Sequence, residues 1–316
     1  MMIGLVNNAS DHGFKATERQ FCNLLRAAAP GTDLQFRLYT CPGIPRSGSL
    51  HDIGGLYSDI RELPGTPLDA LIVTGMEPQA SFLLDEPVWS SLVHVADWAE
   101  ENAVPTIWSC LAAHAVVLHR AAIARTRLAD KLSGVFECSL VAGRHPLTRG
   151  LPPRWSCPHS RFHGLPEDLL TAGGYQILSR SDEAGADIFL EKRDAPFIFF
   201  QGHPEYEDRT LLGEYKRDIR RYVAGERTDY PASPQNYFDA HTDAALARLR
   251  DRAVRHGEVP ALSDVVGIVN GAACAALWQP VAARLVSNFL AWALRDAGTC
   301  SPVPKMADGE WQGAVR

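Results

Sequence analysis

No apolar run in this chain is long enough to cross a bilayer, and residues 1–10 lack the basic start and long apolar core of a secretory signal. A cytoplasmic protein with no membrane partner is therefore expected. The seven cysteines are odd in number and show no Cys-x-x-Cys spacing, which excludes a disulfide framework and a zinc ribbon. No dense Lys/Arg run occurs and the net charge is -6, which argues against a nucleic-acid partner. Internal repeats, low-complexity segments and long flexible linkers are also missing, so one domain is expected over 1–298, with a loosely ordered tail over 299–316. No metal site is expected either. His159 and His163 lie four apart, but Pro158 and Gly164 place them in what reads as a loop, not on a ligand-presenting helix.

What is present is alternation of strand and helix. "MIGLVNN", "DLQFRLYT" and "LDALIVTGM" read as strands, the first and last apolar throughout. "ATERQFCNLLRAAA" and "EPVWSSLVHVADWAEEN" carry apolar residues at helical spacing, and "CPGIPRSGS" is a loop. After Leu132 shorter strands follow, "GVFECSLVA", "YQILSRS", "ADIFLEK" and "APFIFFQGH", and then helices at "RTLLGEYKRDIRRYVAG", "TDAALARLRDRAVRHG" and "VAARLVSNFLAWALRDAG". Apolar strands alternating with helices imply an α/β fold with a mostly parallel sheet covered by helices on both faces.

Two stretches could carry chemistry. "PTIWSCLAAHAVVLH" begins as a buried strand and continues as a helix, with Cys110 at the change. A tight turn there exposes one side chain, aims backbone N–H groups at it and sets it at the positive end of a helix dipole, which favours a thiolate. Ser109, Ala112 and Ala113 are small enough for such a turn, although Trp108 and Leu111 are not, and the thiol also reads as a packing residue. In "FIFFQGHPEYED" a buried strand ends at Gly202, followed by His203 and Glu205. In extended backbone a His two residues before a Glu puts both on one side, so the carboxylate can hold the imidazole tautomer while the other nitrogen faces a nucleophile. A solvated surface turn is the alternative. Both stretches place reactive groups at carboxyl ends of apolar strands, where open α/β sheets build their sites.

"HPEYEDRTLLGEYKRD" resembles the C-terminal signature of the homoserine O-acyltransferases of the class I glutamine-amidotransferase-like type, often called homoserine O-succinyltransferases. "LDALIVTG", "KLSGVFE", "HPLTRG", "PHSRF", "SDEAG", "QNYF" and "SNFLAW" agree in order, covering most of 1–238 and resuming near Trp278. The resemblance implies a flavodoxin-like core and a ping-pong transfer of succinyl or acetyl from acyl-CoA, a co-substrate, to the hydroxyl of L-homoserine, with no bound cofactor. It implies small-molecule partners, a homodimer and a place in methionine biosynthesis. Cys110 falls at the nucleophile, His203 at the general base and Glu205 at the residue orienting it. Arg217 falls at the arginine that binds the amino acid's carboxylate, Ser160 at a pocket serine, and the Leu111 N–H at the oxyanion hole.

The departures are local. The family's C-W-G-A-Q is "CLAAH" here, with Leu111, Ala112 and His114 replacing its Trp, Gly and Gln. Its P-K-K loop becomes "NNASDHGFKATE", where Lys15 stands in for the loop lysine and Gly13 lets the backbone approach. After "VTG", a Glu goes with acetyl donors and a Gly with succinyl donors. Ungapped alignment puts Gln79 there, leaning to succinyl, and a shift of two puts Glu77 there instead. Gln279 replaces an Arg near the end, and residues 241–277 read as a family-atypical insertion. L-Serine or another hydroxy amino acid remains an alternative acceptor. A glutaminase or γ-glutamyl hydrolase on the same fold, and a non-catalytic relative, are the other readings.

Overall fold

The computed structural model describes residues 1–44, 56–141, 145–191, 196–270 and 277–296. Part of "CPGIPRSGS" and the tail from Thr299 lie outside them. The strands are β1 (Met2–Val6), β2 (Gln35–Thr40), β3 (Tyr57–Asp59), β4 (Ala70–Val73), β5 (Thr106–Ser109), β6 (Thr126–Leu140), β7 (Arg154–Gly164), β8 (Gln176–Ser181), β9 (Gly185–Glu191) and β10 (Phe197–Phe200). The helices are α1 (Asp11–Ala28), α2 (Trp89–Glu101), α3 (Leu111–Ala121), α4 (Glu167–Ala172), α5 (Thr210–Val223), α6 (Ala240–His256), α7 (Leu262–Val269) and α8 (Gln279–Asp296).

All ten strands form one sheet, in the order β3-β2-β1-β4-β5-β10-β9-β8-β6-β7. The first six run parallel and the last four extend the sheet in antiparallel fashion. Alternate side chains separate two cores. Leu71, Val73, Phe197 and Phe199 pack with α2 and α3, while Ala70, Ile72, Ile198 and Phe200 pack with α1 and α8. This is why "ALIV" and "FIFF" read as unbroken apolar runs: both sheet faces are covered. Each buried Leu, Ile or Phe contributes about 1.5–3 kcal/mol. β1 pairs with β2 on one side and β4 on the other, so the chain order reverses there and opens a crevice at the strands' carboxyl ends.

Two local differences from the sequence reading have physical causes. α1 begins at Asp11, five residues before the expected Ala16: Ser10 is extended at the N-cap position, its carbonyl accepts from the Gly13 N–H at 2.9 Å, and acidic Asp11 sits in the first turn. Lys15 is therefore an exposed helix residue and not part of a loop. "WSCPHSRFHG" is strand β7 and not a loop. Cys157, His159, Arg161 and His163 are buried while Ser160 and Phe162 are half-exposed, a period-two pattern that their polar identities concealed. The helix that runs into 241–277, α6, is capped by Asp239, whose carboxylate accepts from the Thr242 N–H at 2.9 Å, and is closed by Gly257 with φ 67°. α6 and α7 pack on α5 in a third core that includes Tyr215, Leu249, Val265 and Trp278. No helix among the described residues is long and apolar enough to cross a membrane.

Candidate active site

Cys110 sits between β5 and α3 with φ 52° and ψ -115°, a conformation that L side chains rarely adopt. The turn is held on both sides: the Cys110 N–H donates to Phe200 O at 2.8 Å, and the Cys110 carbonyl accepts from the His114 N–H at 3.1 Å. Steric relief comes from a different strand. A Cβ on Gly75, just past β4, would lie 2.9 Å from the Cys110 Cβ, the Leu111 nitrogen and the Ser109 oxygen. The glycine that the elbow needs thus faces it across the sheet and does not flank it in sequence. As the first residue of α3, Leu111 has an N–H with no partner inside the helix.

β10 delivers the imidazole. The His203 N–H donates to Pro158 O at 2.7 Å, and its ring stacks on Tyr206 with centroids 4.3 Å apart. Nδ1 lies 2.8 Å from Glu205 Oε1. Nε2 is buried and has no hydrogen-bond partner among the described residues; it faces the Cys110 thiol. Burial alone would push this histidine toward its neutral form. The Glu205 carboxylate and the facing thiol outweigh burial, and its pKa stands well above the ordinary value.

These groups line a cavity of about 150 Å³ at the crevice. Ala9, Ser10 and Gly13 come from the end of β1 and the start of α1, and Thr74 follows β4. Asn8 ties the two loops, donating from N–H to Thr74 Oγ1 at 2.8 Å and from Nδ2 to the Thr74 carbonyl at 2.9 Å. The opposite wall carries a second constellation. The Ser160 hydroxyl donates to Glu214, as does the Tyr206 hydroxyl at 2.7 Å, and Lys131 Nζ stands 3.4 Å away. Burial raises the pKa of Glu214, but Lys131 and Arg217 bring it down to about 2, so it is a carboxylate at neutral pH. Arg217 also lines the cavity, with Nη2 3.1 Å from Asp218 Oδ1 and Nη1 4.0 Å from Glu77.

The structure therefore gathers Cys110, Leu111, His203, Glu205, Ser160 and Arg217 around one space. Two expected residues stay out of it. Lys15 does not line the cavity, and Gln79 is exposed, with its backbone N–H donating to Glu86 at 3.0 Å. From the same loop it is Glu77 that faces inward, paired with Arg221 at 2.5 Å. His114 is a satisfied helix histidine on the wall, with Nε2 3.2 Å from Gln201 Oε1. Burial, with Arg161 and Arg125 nearby, lowers its pKa to about 3. Residues not singled out in the sequence also line it, among them Glu214, Tyr206, Lys131, Arg125 and Arg161. Glu214 and Tyr206 stood in plain view inside "HPEYEDRTLLGEYKRD". Arg161 stood in "PHSRF" in the same way, whereas Arg125 gave no signal because long-range folding alone brings it to the cavity.

A thiol on a strained strand-to-helix turn, with an imidazole and a carboxylate behind it at the switch point of an α/β sheet, is the arrangement of enzymes that use cysteine as a nucleophile. The profile described as "HTS: Homoserine O-succinyltransferase" matches residues 1–257. A homoserine O-succinyltransferase of Bradyrhizobium japonicum is 45% identical over 85% of this chain and 83% of its own. Others from Methylorubrum extorquens and Rhodopseudomonas palustris are 42% identical (92% and 86% covered) and 48% identical (79% and 75% covered). The chain belongs to the homoserine O-succinyltransferase family, a family of acyltransferases. Among solved structures, a glutamine amidotransferase of Thermotoga maritima superposes with a TM-score of 0.47 and 11% identity, over 95% of this chain and 99% of that one.

Proposed function

We propose that this protein transfers a succinyl group from succinyl-CoA to the hydroxyl of L-homoserine in a ping-pong reaction through a Cys110 thioester. The observation that carries it is the facing of Cys110 and the His203–Glu205 pair across a cavity whose far wall holds Arg217 and Glu214. His203 takes the Cys110 thiol proton, the resulting thiolate adds to the thioester carbonyl, and the oxyanion meets the Leu111 N–H at the head of α3. Collapse breaks the carbonyl–sulfur bond of CoA, whose sulfur takes the proton from His203. Homoserine then enters with its carboxylate toward Arg217 and its ammonium toward Glu214, opposite charges matched to a zwitterion. His203 removes the hydroxyl proton, the oxygen adds to the thioester, and Cys110 leaves as thiolate. Arg125 and Arg161 on the wall supply positive charge for the free carboxylate of a succinyl group.

An acetyl donor has one observation in its favour: Glu77, and not Gln79, lines the cavity. Its pairing with Arg221 offsets much of the repulsion it would otherwise exert on succinyl. The test is intact-protein mass after brief mixing with succinyl-CoA or acetyl-CoA, without acceptor, beside Cys110→Ala. A succinyl adduct absent from the variant and discharged by homoserine is expected. An acetyl adduct alone would change the donor, and discharge by serine alone would change the acceptor. No adduct and no CoA release with either donor would remove the proposal and move attention to glutamine hydrolysis.

A further inference from the structure

Beneath the His203 turn lies a second cluster that the reaction does not use. Cys138 on β6, Cys157 and His159 on β7 and Asp187 on β9 are all buried, and one ligand atom from each lies within 4.8 Å of the others. β7 and β9 are not neighbours in the sheet, so long-range folding alone brings these four together. His159 Nε2 is 3.5 Å from Asp187 Oδ1 and has no hydrogen-bond partner among the described residues. Cys157 Sγ donates to the same Asp187 oxygen at 3.5 Å, and Asp187 Oδ2 is held by the Ser179 hydroxyl at 3.0 Å.

Gly202 shapes the space between them. A Cβ on it would stand 2.6 Å from Cys157 Sγ, 2.7 Å from Asp187 Oδ1 and 3.0 Å from His159 Nε2. Three donors of different elements thus converge on one point beside a residue that has no side chain to fill it. Zinc bonds run roughly 2.3 Å to sulfur and 2.0–2.2 Å to nitrogen or oxygen, so closure needs shifts of a few tenths of an ångström to about one.

We propose that Cys138, Cys157, His159 and Asp187 form a closed, four-coordinate zinc site. Two thiolates and an imidazole suit zinc and disfavour magnesium or calcium, and four protein ligands leave no open position for chemistry. On binding, the two thiols lose their protons to solvent, His159 binds as neutral imidazole and Asp187 as carboxylate. The resulting site carries one negative charge, and the buried guanidinium of Arg161 lies close enough to Asp187 to offset it. With metal on Nε2 the His159 proton moves to Nδ1, and the 3.4 Å contact from Arg161 Nε lapses while Arg161 keeps its bonds to the His163 and Ala184 carbonyls. The site would pin the His203 turn, because the His203 N–H bonds to Pro158, which lies between two of the ligands.

The test uses the full chain, purified under reducing conditions without chelator, equilibrated with zinc and freed of excess. Elemental analysis is expected to give about one zinc per chain. Cobalt in its place is expected to show thiolate-to-metal charge transfer and the visible bands of a tetrahedral ion. Cys138→Ala/Cys157→Ala is expected to lose the metal, while Cys22→Ser, a buried cysteine outside the cluster, keeps it. The unmutated chain decides even where the double variant fails to fold. Zinc below about a tenth of an equivalent, cobalt without a thiolate band, or a Cys138–Cys157 disulfide in the reduced preparation would each overturn the site. Retention of full stoichiometry by the double variant would do the same.

Discussion

Gly75 and Cys110 fit each other across two neighbouring strands: a methyl group on Gly75 would meet the Cys110 Cβ at 2.9 Å, and the Leu111 nitrogen at the same distance. Both obstacles are fixed, one by a strained backbone and the other by the first turn of α3. Gly75→Ala is therefore expected to displace the thiol from His203 and to crowd the oxyanion donor. The acylation rate with succinyl-CoA should fall about 100-fold or more, while overpacking costs about 1–3 kcal/mol of stability. Single-turnover CoA release and urea unfolding measure the two separately, and a fully active Gly75→Ala protein would contradict the role of the elbow.

Glu205 sets the charge of His203, so its removal has a direction. The folded pKa of His203 is raised, and the native state holds this proton more tightly than the unfolded chain does. The stabilisation is fully present below the unfolded value near 6.5 and is lost as pH rises through the folded value. Glu205→Gln should move the His203 titration, followed by NMR of labelled histidine, to lower pH. The stability gap between wild type and variant should be widest just below the unfolded value, where Glu205 is still ionised, and should narrow as pH rises. A gap that widens toward alkaline pH would reverse the assignment.

His114 works in the opposite sense. Its folded pKa is lowered from 6.5 to about 3, so the native protein refuses a proton that the unfolded chain accepts. Its contribution is present above the unfolded value and is lost as pH falls through the window between the two. His114→Gln can still hydrogen-bond to Gln201 but cannot titrate, and it should flatten part of the acid limb of stability. The limb will not vanish, because burial also lowers His163, to about 4. Since His114 is neutral throughout the working range, the pH profile of turnover should keep its shape. Unfolding from pH 4 to 8, beside a rate profile, checks both.

The parts of this design that were legible in the sequence depend on local pattern. Apolar runs marked β1, β4 and β10, and the residues just past strand ends, Cys110 and His203, marked the site. β7 was not legible because its buried face is Cys157, His159, Arg161 and His163, polar types whose period-two burial is invisible to a hydropathy reading. The loop after β4 offered two candidates, Gln79 and Glu77, which spacing alone does not separate. Counting along "VTGMEPQ" reaches Gln79, but the loop turns so that Glu77 points inward and Gln79 faces solvent. The ligands of the proposed zinc site come from three strands, and only Cys157 and His159 are close in sequence, so only the fold collects all four.

Under the proposed mechanism, Arg217 should separate the two half-reactions. Its guanidinium lines the cavity beside Glu214, with Nε and Nη2 engaged by Asp218 and Nη1 4.0 Å from Glu77, an ion pair loose enough for a substrate carboxylate to displace. Arg217→Lys keeps the charge but loses the planar fork. KM for homoserine should rise about 10- to 100-fold, the cost of a charged hydrogen-bond pair, while acylation by succinyl-CoA proceeds unchanged. A variant impaired equally in both halves would place Arg217 elsewhere in the reaction.

Under the proposed mechanism, Glu77 should report on the donor. Its carboxylate lies on the cavity wall, bound by Arg221 at 2.5 Å and 4.0 Å from Arg217. A succinyl group brings a second carboxylate into the same space, and an acetyl group does not. Glu77→Gln removes the repulsion and frees two guanidiniums to meet the incoming charge, so the ratio of kcat/KM for succinyl-CoA to that for acetyl-CoA should rise. Because Arg221 already neutralises much of the wild-type charge, the change should be modest, about three- to tenfold, or roughly 1 kcal/mol of differential binding. Arg221→Ala is the complementary experiment. It leaves Glu77 uncovered and should move the ratio in the opposite direction, toward acetyl. If both variants shift the ratio the same way, Glu77 acts through the shape of its loop and not through charge.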